Sequence, residues 1–249
     1  MSNFANLDES KRKKYLAALG VKTWQTRENE EIEHCNAQEN VVSASKSEEK
    51  LIASPSVAID IDKITSMDLS SLDNHVKTCQ ACELHKTRKQ TVFGVGHHKA
   101  DWLIIGEAPG ADEDRQGEPF VGRAGQLLTQ MLRAIGLARE EVFIANILKC
   151  RPPNNRDPKA DEVSACNSYL NRQIELLEPK IVLALGRIAA QSLLQTDMPI
   201  GKMRGKLYHL EKNSIPTVVT YHPAYLLRSP KEKRKVWEDL KFARQQILQ

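Results

Sequence analysis

The order of apolar and polar positions along the chain predicts buried strands that alternate with amphipathic helices. Four apolar runs have the length of strands, at residues 102–105, 142–148, 181–185 and 217–221. Apolar residues recur at helical spacing in residues 126–135, 160–177, 187–194 and 231–248. This alternation is typical of parallel βαβ units. It predicts an α/β fold with three layers, α/β/α, around a four-stranded parallel sheet that is buried on both faces.

A polar stretch separates this predicted domain from the start of the chain. Residues 28–71 are rich in Glu, Ser, Asn and Lys and contain no aromatic residue, which is the composition of a disordered linker. Before it, residues 1–27 contain Leu16, Leu19, Val21 and Trp24, which predict an amphipathic docking segment. Such a helix docks either on its own domain or on a partner, and the sequence leaves both open. The globular domain is predicted at residues 72–249, preceded by this largely disordered N-terminal extension.

Charge and composition narrow the class of protein. The chain is 41% hydrophobic, enough for a packed core, and no run of about eighteen apolar residues occurs. Its start lacks the apolar centre of a secretory signal, so a cytoplasmic location without membrane contact is expected. Residues 1–74 carry 9 Lys+Arg against 13 Asp+Glu, whereas the remaining residues carry 27 against 19. A basic domain favours an anionic polymer as partner.

The sequence GEAPGADEDRQGEPFVGRAG, at residues 106–125, joins the first predicted strand to the following helix. Open parallel sheets bind ligands beyond the carboxyl ends of their strands, which is where this loop lies. Its glycines permit close approach of the backbone. Its acidic residues have the wrong charge for a phosphate cradle, and neither P-loop nor dinucleotide-binding glycine spacing occurs. We therefore expect an active-site loop with four available carboxylates, Glu107, Asp112, Glu113 and Asp114.

Four of the five cysteines are candidates for one metal centre. Cys79 and Cys82 form a C-x-x-C pair, while Cys150 and Cys166 flank a proline-rich loop. Four thiolates suit either zinc or an iron-sulfur cluster, and the spacing alone does not decide between them. Cys35 lies in the predicted linker and is expected to bind no metal.

Several separated motifs, in this order and spacing, resemble the family 4 uracil-DNA glycosylases. They are GEAPGADEDRQGEPFVGRAGQLL, IANILKCRPPNNRDP, ALGR and HPAYLLR, together with the four cysteines, and they span residues 75–245. The resemblance implies a uracil-DNA glycosylase fold and hydrolysis of the N-glycosidic bond of deoxyuridine in DNA, which leaves an abasic site for base excision repair. It also implies a structural 4Fe-4S cluster on Cys79, Cys82, Cys150 and Cys166. The superfamily branch that crosslinks to its product is disfavoured, because CRPPNNRDP replaces that branch's inserted loop.

The resemblance also assigns roles to residues at the predicted strand ends. The uracil pocket is expected from Gly106, Glu107, Ala108, Phe120, Asn146 and His222. Phe120 would stack on the flipped base, Asn146 would read its edge, and His222 would donate to O2 as negative charge develops. Glu107 and Glu113 are the carboxylates expected to orient water or to stabilise the positively charged sugar, and the sequence does not decide which does which. Ala108 stands where other branches carry an activating Asp, which favours electrostatic support over direct general-base catalysis.

Basic residues near the predicted strand ends are candidates for contacts with DNA. DNA phosphates are expected to contact Lys149, Arg151, Arg204, Lys206 and Arg228. The wedge that fills the vacated stack is expected among Tyr225, Leu226 and Leu227. The pattern from Leu16 to Arg27 resembles the N-terminal peptide of a clamp-loader psi subunit, which suggests a clamp-loader component as partner of an otherwise monomeric enzyme. The alternatives are an inactive uracil- or DNA-binding module and a relative that acts on other deaminated bases.

Overall fold

The sheet has six strands, and its four central strands are the predicted parallel ones. The computed structural model describes residues 61–247. The strands are β1 Val95–Gly96, β2 Trp102–Gly106, β3 Phe143–Asn146, β4 Ile181–Leu185, β5 Leu207–His209 and β6 Pro216–Thr220, in the spatial order β1-β3-β2-β4-β6-β5. Strands β1 and β5 pair antiparallel at the two edges. The predicted four-stranded sheet therefore lacked these two strands, which are too short to show an apolar period.

Helices cover both faces of the sheet, which confirms the predicted α/β class and its three layers. They are α1 Ile61–Thr65, α2 Leu69–Lys77, α3 Ala111–Gln116, α4 Arg123–Ala134, α5 Ala160–Leu177, α6 Arg187–Leu193, α7 Ile200–Met203, α8 Pro223–Arg228 and α9 Lys233–Ile247. Short 3-10 turns occur at Glu83–Lys86, Arg139–Glu141, Pro153–Asn155 and Pro230–Glu232. Within residues 61–247, no helix is both long and apolar enough to cross a membrane.

The core lies on both sides of the parallel strands because their side chains alternate between two faces. Ile104 and Leu183 face the layer formed by α4, α8 and α9. Leu103 and Val182 face the layer formed by α5 and α6. All residues of β2, β3 and β4 are buried, as expected for strands covered on both faces. This packing fixes the carboxyl ends of the strands, where the predicted site residues lie.

The packed domain begins earlier than residue 72, the predicted boundary. Helices α1 and α2 lie within or across residues 61–71, which were assigned to the linker. Ile64 and Leu72 are buried in a small cluster with Tyr169 of α5, and Asp68 caps α2 by accepting from the Ser71 N–H at 2.7 Å. The apolar residues of this stretch are too sparse to stand out from its polar composition. Residues 1–60, which include the predicted docking segment and Cys35, lie outside the described part.

Candidate active site

A pocket opens at the carboxyl ends of β2, β3 and β6, where the sequence placed it. Gly106 and Asn146 are register partners at the ends of β2 and β3, and His222 follows β6. The residues lining the pocket are Glu107, Ala108, Pro109, Gly110, Glu113, Phe120, Ala124, Asn146, Pro152, Asn155, Arg156, Asp157, His222, Ala224, Tyr225 and Arg228. Five of the six residues expected to bind uracil are thus lining residues. The sixth, Gly106, lies directly behind them.

Asn146 presents an unused polar atom at the floor of this pocket. The residue is 2% exposed, and its Oδ1 is buried without a hydrogen-bond partner in the described structure. A Cβ atom at Gly106 would lie 2.4 Å from this Oδ1 and 2.6 Å from Cζ of Phe120. Position 106 must therefore be glycine if both side chains are to approach the strand end. Because buried polar groups are normally paired, the free Oδ1 indicates a ligand with a donor.

Phe120 forms one wall of the pocket and has an unusual backbone conformation. Its ring centroid lies 5.5 Å from that of His222, and its φ is 54°, in the left-handed region. Such a backbone is strained for a large side chain and persists where its surroundings hold it. The carboxylate of Glu113 accepts from the N–H groups of Val121 and Gly122 at 3.0 and 3.1 Å.

A second residue holds the loop from the other side. Arg139, in the turn before β3, donates through Nη2 to the carbonyl of Pro119, the residue before Phe120. Gly125 packs so closely on the Phe120 backbone that an added Cβ would lie 1.7 Å from its carbonyl oxygen. The aromatic wall is therefore clamped on both flanks rather than free to swing.

The hydrogen bond of His222 determines which ring nitrogen can donate to a ligand. It caps α8, and its Nδ1 accepts from the Ala224 N–H at 3.2 Å. Since a backbone N–H can only donate, the single proton of the neutral ring lies on Nε2. Burial, together with the positive charge of Arg228, lowers the pKa of His222 from 6.5 to about 4. The imidazole therefore stays uncharged near neutral pH.

The four candidate carboxylates of the 106–125 loop have different environments. Glu107 lines the pocket, and burial raises its pKa, with Asp157 adding to the effect and Arg187 opposing it. Asp112 forms an exposed ion pair with Arg115. Asp114 is buried and accepts from the Lys89 N–H at 2.9 Å, so it joins this loop to the segment before β1. Of these four candidates, only Glu107 and Glu113 line the pocket.

Two of the basic residues expected to contact DNA are structural instead. Lys149 is fully buried, and burial lowers its pKa to about 8, so its prediction as a phosphate contact is wrong. Arg204 pairs with Asp239 at 2.7 Å and lies over the Tyr221 ring, which fixes α9 to the sheet. By contrast, Arg228 is exposed and borders the pocket.

The remaining DNA-contact predictions are compatible with the surface. Lys206 is exposed, and Arg151 is partly exposed with its Nε donating to Asn155. Among the three wedge candidates, Leu226 is 1% exposed and belongs to the core, whereas Leu227 is 39% exposed. Tyr225 packs against Tyr221, with ring centroids 5.0 Å apart. Leu227 is therefore the candidate that can reach a DNA base stack.

The four cysteines predicted to bind a metal surround a second cavity, which we call the cysteine cavity. Its lining residues are Val76, Cys79, Ala81, Cys82, Arg88, Lys149, Cys150, Ala165, Cys166 and Tyr169. Arg88 donates to Cys150 Sγ at 3.0 Å, and the Lys149 N–H donates to Cys166 Sγ at 3.5 Å. Burial raises the pKa of Cys150 to about 11 and that of Cys166 to about 12. Without a bound cation these thiols are therefore protonated at neutral pH.

Comparison with known proteins shows the family to which the chain belongs. Residues 93–241 match the model of the uracil DNA glycosylase superfamily. The type-4 uracil-DNA glycosylase of Archaeoglobus fulgidus is 47% identical over 182 residues, covering 70% of this chain and 92% of that protein. The type-4 uracil-DNA glycosylase of Thermotoga maritima is 43% identical over 178 residues, covering 70% and 91%. The chain belongs to the type-4 uracil-DNA glycosylases. The resemblance inferred from the motifs is thereby confirmed.

A second branch of the superfamily matches less well. The type-5 uracil-DNA glycosylase of Pyrobaculum aerophilum is 31% identical over 149 residues, which cover 53% of this chain and 64% of that protein. The type-4 relatives align over 70% of this chain, against 53% for this type-5 relative. The assignment to type 4 therefore rests on the longer and closer match.

Three contributors to this type-4 glycosylase site were missed by sequence reasoning. Arg139 supports Phe120, Arg88 contacts Cys150, and Gln173 accepts from the buried Lys149 at 2.5 Å. Each lies far along the chain from the residue it supports or outside any motif. No local signal in the sequence distinguishes them from ordinary surface polar residues.

Proposed function

We propose that the protein hydrolyses the N-glycosidic bond between uracil and deoxyribose in DNA, releasing uracil and leaving an abasic site. Water supplies the hydroxyl that bonds to C1′, and its proton balances the charge of the departing base. The observation that carries this proposal is the unpaired Asn146 Oδ1 at the floor of a pocket walled by Phe120 and His222. The type-4 glycosylases with which the chain aligns are named for this activity.

Asn146 would select uracil through its side-chain amide. The amide can accept from N3–H of uracil through Oδ1 and donate to O4 through Nδ2. Cytosine presents the reverse order at these positions, so it would leave buried polar groups unpaired in the pocket. Such mismatched polar groups give the strongest discrimination between similar substrates.

His222 would stabilise the leaving base. Negative charge develops on uracil O2 as the glycosidic bond breaks, and a donor already aimed there lowers the barrier. Because Nδ1 accepts from Ala224, the Nε2 proton is the one available to the base. A neutral imidazole suits this role, since burial keeps the ring uncharged until the pH approaches about 4.

Glu107 and Glu113 would have different roles. Glu113 is occupied by two backbone N–H groups, so we assign it to holding the loop that carries Phe120. Glu107 has no such anchoring bond among the described residues and lines the pocket. We assign Glu107 to orienting water and supporting the positive charge on the sugar. Ala108 lines the pocket without a functional group for direct base catalysis.

DNA would be held by the exposed positive charges around the pocket. Arg228 borders the opening, while Arg151 and Lys206 lie at or near the surface. Phosphate contacts of this kind position DNA without reading its sequence. Leu227, exposed next to Arg228, would enter the gap left by the flipped nucleotide.

We further propose that the cysteine cavity holds a structural 4Fe-4S cluster on Cys79, Cys82, Cys150 and Cys166. A single zinc ion needs its thiolates at about 2.3 Å. No three His, Cys, Asp or Glu side chains among residues 61–247 are placed to hold one metal ion. The four thiols nevertheless line one cavity, and the resemblance to type-4 glycosylases, not this geometry, favours a cluster over zinc. When bound, the cluster would join α5 to the loops that carry the other cysteines.

The N-terminal segment would recruit a partner. Leu19 and Trp24 belong to an apolar motif whose resemblance to a clamp-loader peptide supports a clamp-loader component as that partner. The test is Trp24→Ala in the full chain, which should abolish pull-down by clamp-loader proteins while excision on naked DNA stays unchanged. Retained pull-down contradicts the proposal. The monomeric state and cytoplasmic location stay predictions.

The activity is tested with an oligonucleotide that contains one uracil. Incubation followed by alkali should cleave the strand at that position, because only an abasic product is alkali-labile. The same oligonucleotide with thymine or cytosine serves as the matched control. Binding without cleavage would support the alternative of an inactive DNA-binding module. Cleavage at hypoxanthine or xanthine, and not at uracil, would support a relative with another base preference.

A further inference from the structure

A short buried connector joins the base-reading residue to the cysteine cavity. Residues 146–150 run from Asn146 to Cys150, and every one of them is buried. The connector is bonded to the start of the active-site loop. The Ile147 N–H donates to the main-chain carbonyl of Gly106, and the Leu148 N–H donates to the main-chain carbonyl of Glu107, each at 3.0 Å. Its position is therefore coupled to Gly106 and Glu107 at the end of β2 as well as to Asn146.

Lys149 lies within this connector and has no part in the mechanism proposed above. Its Nζ donates to the main-chain carbonyl of Asn146 at 2.9 Å and to Gln173 Oε1 at 2.5 Å. Its own N–H points to Cys166 Sγ, and its carbonyl accepts from the Val92 N–H at 2.8 Å. Lys149 thus contacts the residue that reads the base and lines the cysteine cavity at the same time.

The cost of burying this side chain indicates a specific role. An ammonium group removed from water is costly unless polar partners surround it, and an apolar residue of similar length would avoid the cost. The second partner, Gln173, is also buried and is itself anchored by donation to the Phe93 carbonyl at 3.0 Å. The ammonium is therefore held at one place, directly behind Asn146.

We propose that Lys149 is a positioning residue for Asn146. By donating to the Asn146 main-chain carbonyl, it holds the Asn146 amide in place to bind uracil. Because Lys149 also contacts Cys166, the position of Asn146 then depends on the cysteine cavity. This inference rests on the proposed role of Asn146 as the uracil reader. Small displacements of a recognition group are expensive in rate and affinity, about a hundredfold for 1 Å in unfavourable cases. Loss of the Nζ bond removes a support of the reader while the amide itself is retained.

The test compares two ligands of the full-length protein with its metal centre intact. Free uracil probes the pocket as a competitive inhibitor of excision, and DNA with an abasic site probes the remaining contacts. For Lys149→Met we expect the inhibition constant of uracil to rise about tenfold, while the dissociation constant of abasic DNA stays within about twofold. Iron content per chain should stay unchanged. Lys180→Met, which removes an exposed ion pair with Asp101, is the matched control and should alter neither constant.

The outcomes separate this inference from the proposed function. Unchanged uracil inhibition in Lys149→Met overturns the inference, and so does a parallel loss of iron and of abasic-DNA binding, which indicates a purely structural lysine. If Lys149→Met does not fold, Lys149→Gln decides, because its amide is neutral and too short to bond both Asn146 and Gln173. Asn146→Ala should abolish uracil inhibition. Retained inhibition in that variant overturns the reader assignment and the inference together.

Discussion

The strand-end pocket and the cysteine cavity both lie at the end of β3, yet their polar atoms differ in whether they have hydrogen-bond partners. In the pocket, Asn146 Oδ1 is buried without a partner, and the Nε2 proton of His222 is available to a ligand. In the cysteine cavity, Cys150 and Cys166 already receive N–H donors from Arg88 and Lys149. The pocket therefore leaves hydrogen-bonding capacity unused, as the proposed binding of a base requires. At the cysteine cavity, two of the sulfur atoms already have donors.

This difference separates two kinds of damage. Changes at the cysteine cavity should act on folding and metal content, because bound metal couples to the folded state. Changes at the pocket should act on rate or base affinity and leave the fold intact. A variant that alters both metal content and base affinity would show that the two regions are not independent.

The largest effect is expected for Cys166→Ser. Cys166 is buried on α5, so its loss removes a proposed ligand that cannot be replaced by water from the surface. We expect loss of bound iron and of most soluble protein, measured by iron analysis and by yield after anaerobic purification. Cys35→Ser is the matched control and should behave as the unmodified chain. A Cys166→Ser protein with full iron content would remove the distinction between the two cavities.

His222→Ala should reduce kcat on the order of hundreds-fold while DNA binding stays within a few-fold. The reason is that the Nε2 donor acts on charge that develops only as the glycosidic bond breaks. Single-turnover excision and binding to a non-hydrolysable uracil oligonucleotide measure the two quantities. An equal loss of binding would mean that His222 holds the ground state, and a loss of iron would place it with the cysteine cavity.

Acid should destabilise the protein through His222. The folded pKa is about 4 and the ordinary value is 6.5, so the unfolded chain binds a proton first as the pH falls. The contribution is fully present above about pH 6.5 and is lost on acidification toward pH 4, on the order of 3 kcal/mol. Urea unfolding at several pH values measures it. His222→Gln should show a shallower loss, and an identical slope would contradict the buried neutral ring.

Gly106→Ala should damage the pocket without affecting the metal centre. The added Cβ would lie 2.4 Å from Asn146 Oδ1, so either the amide or the Phe120 ring must move. We expect kcat/KM to fall about a hundredfold, with normal iron content. Gly201→Ala is the matched control, since nothing lies within 4 Å of the position of its added Cβ. Kinetics of uracil release from both variants test this directly.

The smallest effect is expected for Arg139→Met. This change removes the donor to the Pro119 carbonyl and leaves the two bonds of Glu113 on the other flank of Phe120. We expect a decrease in kcat/KM of about tenfold, carried by KM because stacking of the base is weakened. Arg133→Met, on the neighbouring helix α4, tests whether loss of any nearby positive charge has the same effect. Equal losses in both variants would assign the effect to charge.

Much of this architecture follows from local pattern. The boundaries of α5 and β4 agree with the predicted ranges, because long amphipathic periodicity and an uninterrupted apolar run are strong signals. The pocket residues Phe120, Asn146 and His222 were found because they follow strand ends or lie in the glycine-rich loop. The edge strands β1 and β5 have two and three residues, too few to show a period.

What the sequence did not reveal depends on tertiary contacts. From sequence alone, a lysine that follows a buried strand is expected at the surface. Lys149 is buried instead, and only its hydrogen bonds to Asn146 and Gln173 explain why. Likewise, a glutamate in an acidic loop reads as a catalytic group. The two backbone N–H groups bound by Glu113 are visible only when the loop is folded.

The unpaired oxygen of Asn146 also bears on how heat-resistant this enzyme can become. A buried acceptor without a donor costs the folded protein about 1–3 kcal/mol, and a uracil base that supplies N3–H removes that cost. Binding of free uracil should therefore raise the melting temperature. Asn146→Leu should also raise the melting temperature but abolish excision. Selection for thermal tolerance alone would discard this amide. Selection for removing uracil keeps it.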